Sequence, residues 1–298
     1  MNTAYSKYIA ALLIFGMNGV VASRIALSSY EIVLMRTLIG SLLLVLLFLL
    51  TRQKARFWEN PKHLLFLVLS GVSMGLSWMF LYEAYRQIGV GMATLANYSG
   101  PVIVMVLSPL LFREKLTWAK GLAFLAVLAG MFCINQEVLS GGGSVWGMTC
   151  GILSAVTYAA LVIFNKKAES ITGLENAMLQ LVASFITVAA FVGIREGFAF
   201  HIEAGSWPFI LILGLVNTGF GCFLFFSSIG RLPVQTVSIC GYLEPLSAVL
   251  FSVLFLHETM NWEQLLGAAL ILGGAAFGEL WRSPSQHPAN KKTVPADD

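Results

Sequence analysis

Charge is what this chain has least of. Asp, Glu, Lys and Arg make up 11% of its 298 residues, whereas soluble domains carry roughly 25%, and that deficit excludes a water-facing globule. Histidine is thin too: His63, His201, His257 and His287 all fall in loops, at the ends of apolar stretches or in the tail. They build no Ser/His/Asp set and no HExxH spacing, so hydrolase and zinc-protease readings fail. A GxxxxGK[ST] phosphate loop is missing as well, which removes ATP hydrolysis by this chain as a source of work. The four cysteines, Cys133, Cys150, Cys222 and Cys240, sit in apolar runs without metal-ligand or disulfide spacing and read as small core residues. The sequence therefore calls for no enzyme, no metal and no cofactor.

Apolar sequence, by contrast, is abundant. Hydrophobic residues reach 57% and mean hydropathy is +0.80, and a helix needs about 20 such residues to cross a bilayer. Ten segments qualify, near residues 5–23, 30–50, 63–84, 91–112, 118–136, 144–165, 174–194, 207–227, 234–256 and 262–281. The expected fold class is all-α integral membrane, with ten transmembrane helices and no room for a soluble domain. Residues 5–23 are expected to be a retained first span and not a signal peptide, because Gly16, Asn18 and Arg24 fall near Ala159, Leu161 and Lys167 at an offset of 143. Residues 282–298, rich in Pro, Ser, Asn and Lys, read as a disordered cytoplasmic tail.

Cations orient these spans. With the N-terminus inside, cytoplasmic segments hold Lys7, Arg52, Lys54, Arg56, Lys62, Arg113, Lys115, Lys120, Lys166, Lys167, Arg231, Arg282, Lys291 and Lys292, whereas external loops hold only Arg24, Arg86 and Arg195. This bias places both termini in the cytoplasm of a cell with the chain in its inner membrane. The net charge of +3 reflects that topology and gives no reason to expect a nucleic-acid partner.

The chain also repeats itself. Residues 98–118 echo in residues 242–262, 144 positions on, superposing Tyr98 on Tyr242, Pro101 on Pro245, Ser108 on Ser252, Glu114 on Glu258 and Trp118 on Trp262. Two five-helix halves follow, residues 1–140 and 141–281, joined through the Gly-rich stretch Gly141–Ser144. Five spans per half turn the second copy upside down relative to the first. Charge agrees: Arg113-Glu114-Lys115 is basic and cytoplasmic, and its counterpart His257-Glu258-Thr259 is external without Lys or Arg.

Ten spans in two halves, a Pro in spans four and nine, a short loop bearing Glu114 or Glu258, and a Gly-rich following helix resemble the EamA-type transporters of the drug/metabolite transporter superfamily, over about residues 5–281. The resemblance implies that spans one to four and six to nine line a central substrate path while five and ten are peripheral. It implies alternating access around a midplane cavity, with a small polar metabolite as cargo, foremost an amino acid or related compound, and export as the direction. Proton coupling and a homodimer are left open by the sequence. An intramembrane enzyme, a sensor and a channel are the rival readings.

Several residues stand out inside these spans. Pro101 frees the carbonyl of Asn97 and Pro245 that of Gly241, beside Tyr98 and Tyr242, and irregular backbone at that depth belongs where it meets protein or a water-filled cavity. Glu244 stands about ten residues into span nine, where a charge costs several kcal/mol unless paired or hydrated. Two roles are open for it beside a helix-tying one: binding a cationic part of the substrate, or carrying a proton. Arg36 is the one cation within a span, and meets a substrate carboxylate or Glu244, or supports the fold. Helical stripes run through Gly71, Gly75, Trp78 and Tyr82; Gly147, Gly151, Ser154 and Tyr158; Gly214, Asn217, Thr218 and Gly221; and Gly16, Asn18 and Gly19. The glycines read as helix-packing positions; Asn18, Trp78, Tyr82, Tyr158 and Asn217 read as cavity candidates. Glu83 and Arg86 read as an ion pair at the external end of span three, and Glu114 and Glu258 as structural acids near a following helix N-terminus.

Overall fold

Four of the long apolar helices begin on a residue that satisfies the orphan amides of a helix start. Ser28 and Glu31 form a reciprocal capping box at the head of one helix, Asn261 and Gln264 do so at another, and Asn60 and Ser144 each accept an amide hydrogen bond from the first turn of theirs. A computed structural model describes residues 2–52, 54–112, 118–134, 144–195, 197–198, 201–229, 241 and 243–281. The loop Arg113-Glu114-Lys115, linker residues 141–143, Arg231, Cys240, Tyr242 and the tail 282–298 lie outside the described residues.

The elements are α1 (Asn2–Gly16), α2 (Asn18–Ala22), α3 (Ser29–Leu50), α4 (Pro61–Ile88), α5 (Val90–Asn97), α6 (Gly100–Phe112) and α7 (Trp118–Ile134). After the linker come α8 (Val145–Lys167), α9 (Gly173–Arg195), α10 (Trp207–Leu211), a π-helical stretch (Ile212–Phe220), α11 (Gly221–Ile229), α12 (Leu243–Leu256) and α13 (Trp262–Leu280). No strand occurs among the described residues. Six runs of helix are long and apolar enough to cross a bilayer: Thr3–Ala22, Ser29–Leu50, Pro61–Ile88, Val145–Lys167, Gly173–Arg195 and Ala204–Phe225. Gly121–Cys133 and Leu243–Leu256 are shorter apolar helices. The expected fourth span is divided: α5 ends at Asn97 and α6 begins at Gly100, so the break falls at Tyr98 and Ser99, just before Pro101.

The helices pack across the chain's midpoint. α4 lies along α8, α4 and α3 along α9, α7 along α13, α1 along α11 and α12, and α5 along α12. Every one of these pairings has a counterpart reached by exchanging the first five spans with the last five. The pair α4/α8 is antiparallel and bonded at seven-residue intervals, with Ser70 Oγ donating to the Leu161 carbonyl and Ser77 Oγ to that of Ser154, each at 2.9 Å. Repeat-equivalent helices also run antiparallel: the ring of Tyr30 of α3 lies 5.1 Å from that of Phe191 of α9 in a tilted pair, while Leu44 and Phe48 pack with Ala177 and Leu181. Likewise Trp118 meets Trp281 at 5.2 Å at one end of α7/α13, and Gly130 lies against Gly267 and Ile271 further along.

The outer surface is apolar. Leu42, Leu46, Leu49, Leu125, Leu250 and Leu254 are each more than half exposed, as lipid-facing residues are. Trp58, Trp118 and Trp281 are exposed at helix ends on one side, and Trp146, Trp207 and Trp262 on the other. Paired tryptophan belts mark the two faces of a bilayer. The chain is a multi-pass membrane protein.

Candidate functional site

A guanidinium stripped of water must find partners for its donors elsewhere, and Arg36 does so on two other helical elements, α4 and the π-helical stretch. It is 2% exposed in the middle of α3. Its Nη1 donates to the Tyr82 hydroxyl of α4, and its Nε donates to Thr218 Oγ1 at 3.0 Å. The guanidinium carbon stands 4.2 Å from the centre of the Trp78 ring and 5.1 Å from that of Tyr82, a cation-π arrangement that strengthens where water is excluded. Thr218 is aimed by the π-helical stretch: its hydroxyl donates in turn to the Leu213 carbonyl at 2.8 Å, five residues back. π-turns widen a helix locally and collect at functional positions.

Opposite this cation stands the acid. Glu244 lies in α12 beside Pro245 and is half-buried. Its carboxyl accepts a hydrogen bond from the Tyr98 hydroxyl at the α5/α6 break and lies within electrostatic reach of Arg36 and Tyr85. Tyr98 is in the same reach of Tyr158 and Tyr8. The structure thus gathers Arg36, Trp78, Tyr82, Tyr98, Tyr158 and Glu244 around one region. Pro245 is buried in α12, Gly241 ahead of that helix is itself helical, and Tyr242 between them lies outside the described residues.

The remaining candidates divide. Asn97 is buried, and its Oδ1 accepts from Ser154 Oγ at 2.9 Å, holding the α5 end to α8. Asn217 Nδ2 donates at 2.8 Å to the Ile14 carbonyl, just before the α1/α2 break, so its amide ties two irregular backbones. Asn18 differs from both: its Oδ1 is shut from water with no hydrogen-bond partner. The stripe glycines serve close packing, Gly71 and Gly75 against Gln180, Ala183 and Ser184 of α9, and Gly147 against Gln87 of α4.

Three acids have partners that sequence spacing did not disclose. Glu83 accepts from Ser29, from Gln87 Nε2 at 2.9 Å and from Trp146 Nε1 at 3.3 Å, while Arg86 reaches Ser29 at 3.4 Å, so the expected pair is a network binding α3, α4 and α8. Glu258 does not serve the helix that follows it. Its two oxygens accept the amides of Val90 at 2.6 Å and Gly91 at 2.9 Å, capping α5 in the other half, while Asn261 and Gln264 cap α13 themselves. Glu175, unremarkable in sequence, accepts the amides of Arg56 and Phe57 at 2.6 and 2.9 Å. Its only sequence signal was its match to Glu31, 144 residues earlier.

Comparison with known proteins agrees with this architecture. The EamA-like transporter family matches twice, over residues 3–136 and 145–278. An uncharacterized transporter of Bacillus subtilis (strain 168), YxxF, is 26% identical over 93% of this chain and 89% of its own length. The biotin transporter of Salmonella typhimurium (strain LT2) is 24% identical over 74% and 75%, and human solute carrier family 35 member G1 is 21% identical over 81% and 70%. A solved structure, titled only as the crystal structure of a protein, superposes with a TM-score of 0.64 at 17% identity over 93% of this chain and 98% of its own, which is a likeness of fold. Two family copies on one helical chain decide the matter: the protein belongs to the EamA-like transporter family of the drug/metabolite transporter superfamily.

Proposed function

We propose that the chain is a secondary carrier of ten spans in two inverted halves, residues 1–140 and 141–281, which moves a small polar metabolite by alternating access. The observation that carries this reading is the antiparallel run of equivalent helices, α3 against α9 and α7 against α13. Copies related in that way exchange under a twofold axis in the membrane plane, and each pairing between them then has a mirror state opening to the other side. The acid and the tyrosines near the Tyr98 break form the cargo site, with Arg36, Trp78, Asn18, Asn97 and Asn217 around it and Pro101 and Pro245 as its bends, while Tyr242, a candidate by its match to Tyr98, lies outside the described residues. An amino acid or related compound, exported, is the cargo class, from an inner membrane with both termini cytoplasmic. Relatives named as transporters support transport itself.

Glu244 is the candidate for proton coupling. Purified protein in proteoliposomes, loaded with a labelled amino-acid mixture, should show counterflow that Glu244→Gln suppresses or frees from pH dependence at unchanged folded yield. Full, pH-sensitive exchange by that variant would remove Glu244 from the mechanism, and single-channel currents in planar bilayers would replace the carrier with a channel.

A further inference from the structure

The groups at this site are not equally available. Arg36 is closed off: it is 2% exposed, the rings of Trp78 and Tyr82 lie against its guanidinium, and two of its five donors are spent on Tyr82 and Thr218. A substrate carboxylate would have to dislodge those contacts to reach it. Glu244, in contrast, is half-buried, and among the described residues its carboxyl accepts from Tyr98, whereas a carboxylate offers about four lone-pair directions. Tyr85, Tyr98 and Tyr158 are half-buried as well, Tyr85 and Tyr98 within electrostatic reach of the Glu244 carboxyl and Tyr158 within that of Tyr98.

The half-buried groups at the site are therefore a carboxylate and aromatic rings, and the closed group is the cation. We infer that the site recognises cargo through an ammonium group, received by the Glu244 carboxylate and flanked by the faces of Tyr85, Tyr98 and Tyr158. Carboxylates and ring quadrupoles both attract such a group, and desolvation strengthens both. Arg36 balances the buried carboxylate from beneath Trp78 and Tyr82 when the site is empty, without binding cargo itself. A carboxylate on the cargo is then dispensable, and an ammonium is not. The inference rests on the carrier reading above and sharpens its cargo to amine-bearing molecules, amino acids among them.

Four probes of one size decide it: phenethylamine, phenylalanine, 3-phenylpropionate and the neutral 2-phenylethanol, each titrated onto the purified full chain by calorimetry. Phenethylamine and phenylalanine are expected to bind at least about tenfold more tightly than the acid and the alcohol, the discrimination expected when a charge-assisted hydrogen bond is lost. Glu244→Gln should abolish that preference, and Leu46→Met, on the outer apolar surface, should retain it. Equal or tighter binding of 3-phenylpropionate, no preference among the four, or a preference that survives Glu244→Gln would each overturn the assignment. The wild-type series stands without the variants should they fold poorly. Counterflow of a labelled metabolite in the same preparation reads the carrier function separately, so transport without amine selectivity sinks the inference alone.

Discussion

Arg36 can occupy the centre of a membrane bundle because three neighbours replace its water. The ring of Trp78 takes one face, the Tyr82 hydroxyl one Nη1 hydrogen, and Thr218 the Nε hydrogen. Thr218 is the least obvious of these, since a threonine in an apolar run reads as ordinary helix packing, and its methyl does lie against Gly40. Thr218→Val keeps the branched shape and removes only the hydroxyl. The Nε hydrogen is then left buried without an acceptor, at a cost of about 1.5–3 kcal/mol for a bond to a charged donor. The unfolding temperature in detergent should fall by several degrees while a volume-matched change on the lipid face, Leu46→Met, leaves it in place; an unmoved transition in Thr218→Val would show that Thr218 carries no part of the Arg36 charge.

At the scale of elements, the most informative contact is the carboxylate of Glu258 on the first two amides of α5. Gly89 makes it possible: it ends α4 and precedes α5 at φ +83°, and a Cβ there would stand 2.9 Å from Glu258 Oε1. The acid belongs to the α12/α13 connection, so one side chain fastens the last two helices to the broken span of the first half. Glu258→Ala leaves the Val90 and Gly91 amides without their acceptor, and Gly89→Ala forces the backbone from a conformation that side chains avoid. Hydrogen exchange at peptides covering residues 86–97 should quicken about tenfold or more in both variants, with peptides from α9 unchanged; protection equal to wild type at Val90 would mean that the latch contributes nothing.

The same elements mark the limit of sequence reading. The break near Pro101 was legible because proline removes a donor, and glycine stripes were legible because close packing needs small residues at helical spacing. The repeat announced Glu258 as a structural acid but pointed it at its own following helix, since spacing carries no information about a partner 168 residues away. The π-helical stretch Ile212–Phe220 leaves no mark in hydropathy, and with it the aim of Thr218 and Asn217 was hidden. Glu244 and Arg36 were legible as expensive residues in apolar runs, whereas the covering of one and the exposure of the other depend on rings contributed by α4 and on the α5/α6 turn.

At the scale of the whole molecule, the proposed inversion makes a claim about sides. Arg52, Lys54, Arg56, Lys62, Lys166 and Lys167 gather at the end where Glu175 meets Arg56 and Phe57, and His63 meets Ser170 at 2.7 Å. Arg24, Arg86 and Arg195 belong to the other end, with Gly89, Ser144 and Glu258. If membrane insertion follows cation number, the first end faces the cytoplasm. Lys62 and Thr259 are both exposed, one at each end, and are suited to single-cysteine labelling in a background with Cys133, Cys150, Cys222 and Cys240 replaced by alanine. A membrane-impermeant maleimide should label Thr259→Cys in right-side-out vesicles and Lys62→Cys only in inside-out ones. Because α4, which begins at Lys62's turn, is zipped antiparallel along α8, a Ser144→Cys probe should follow Thr259→Cys and not Lys62→Cys. Labelling of Lys62→Cys and Thr259→Cys from one side would mean that the halves are not inverted about the membrane plane, and the alternating-access carrier would lose the symmetry on which it depends.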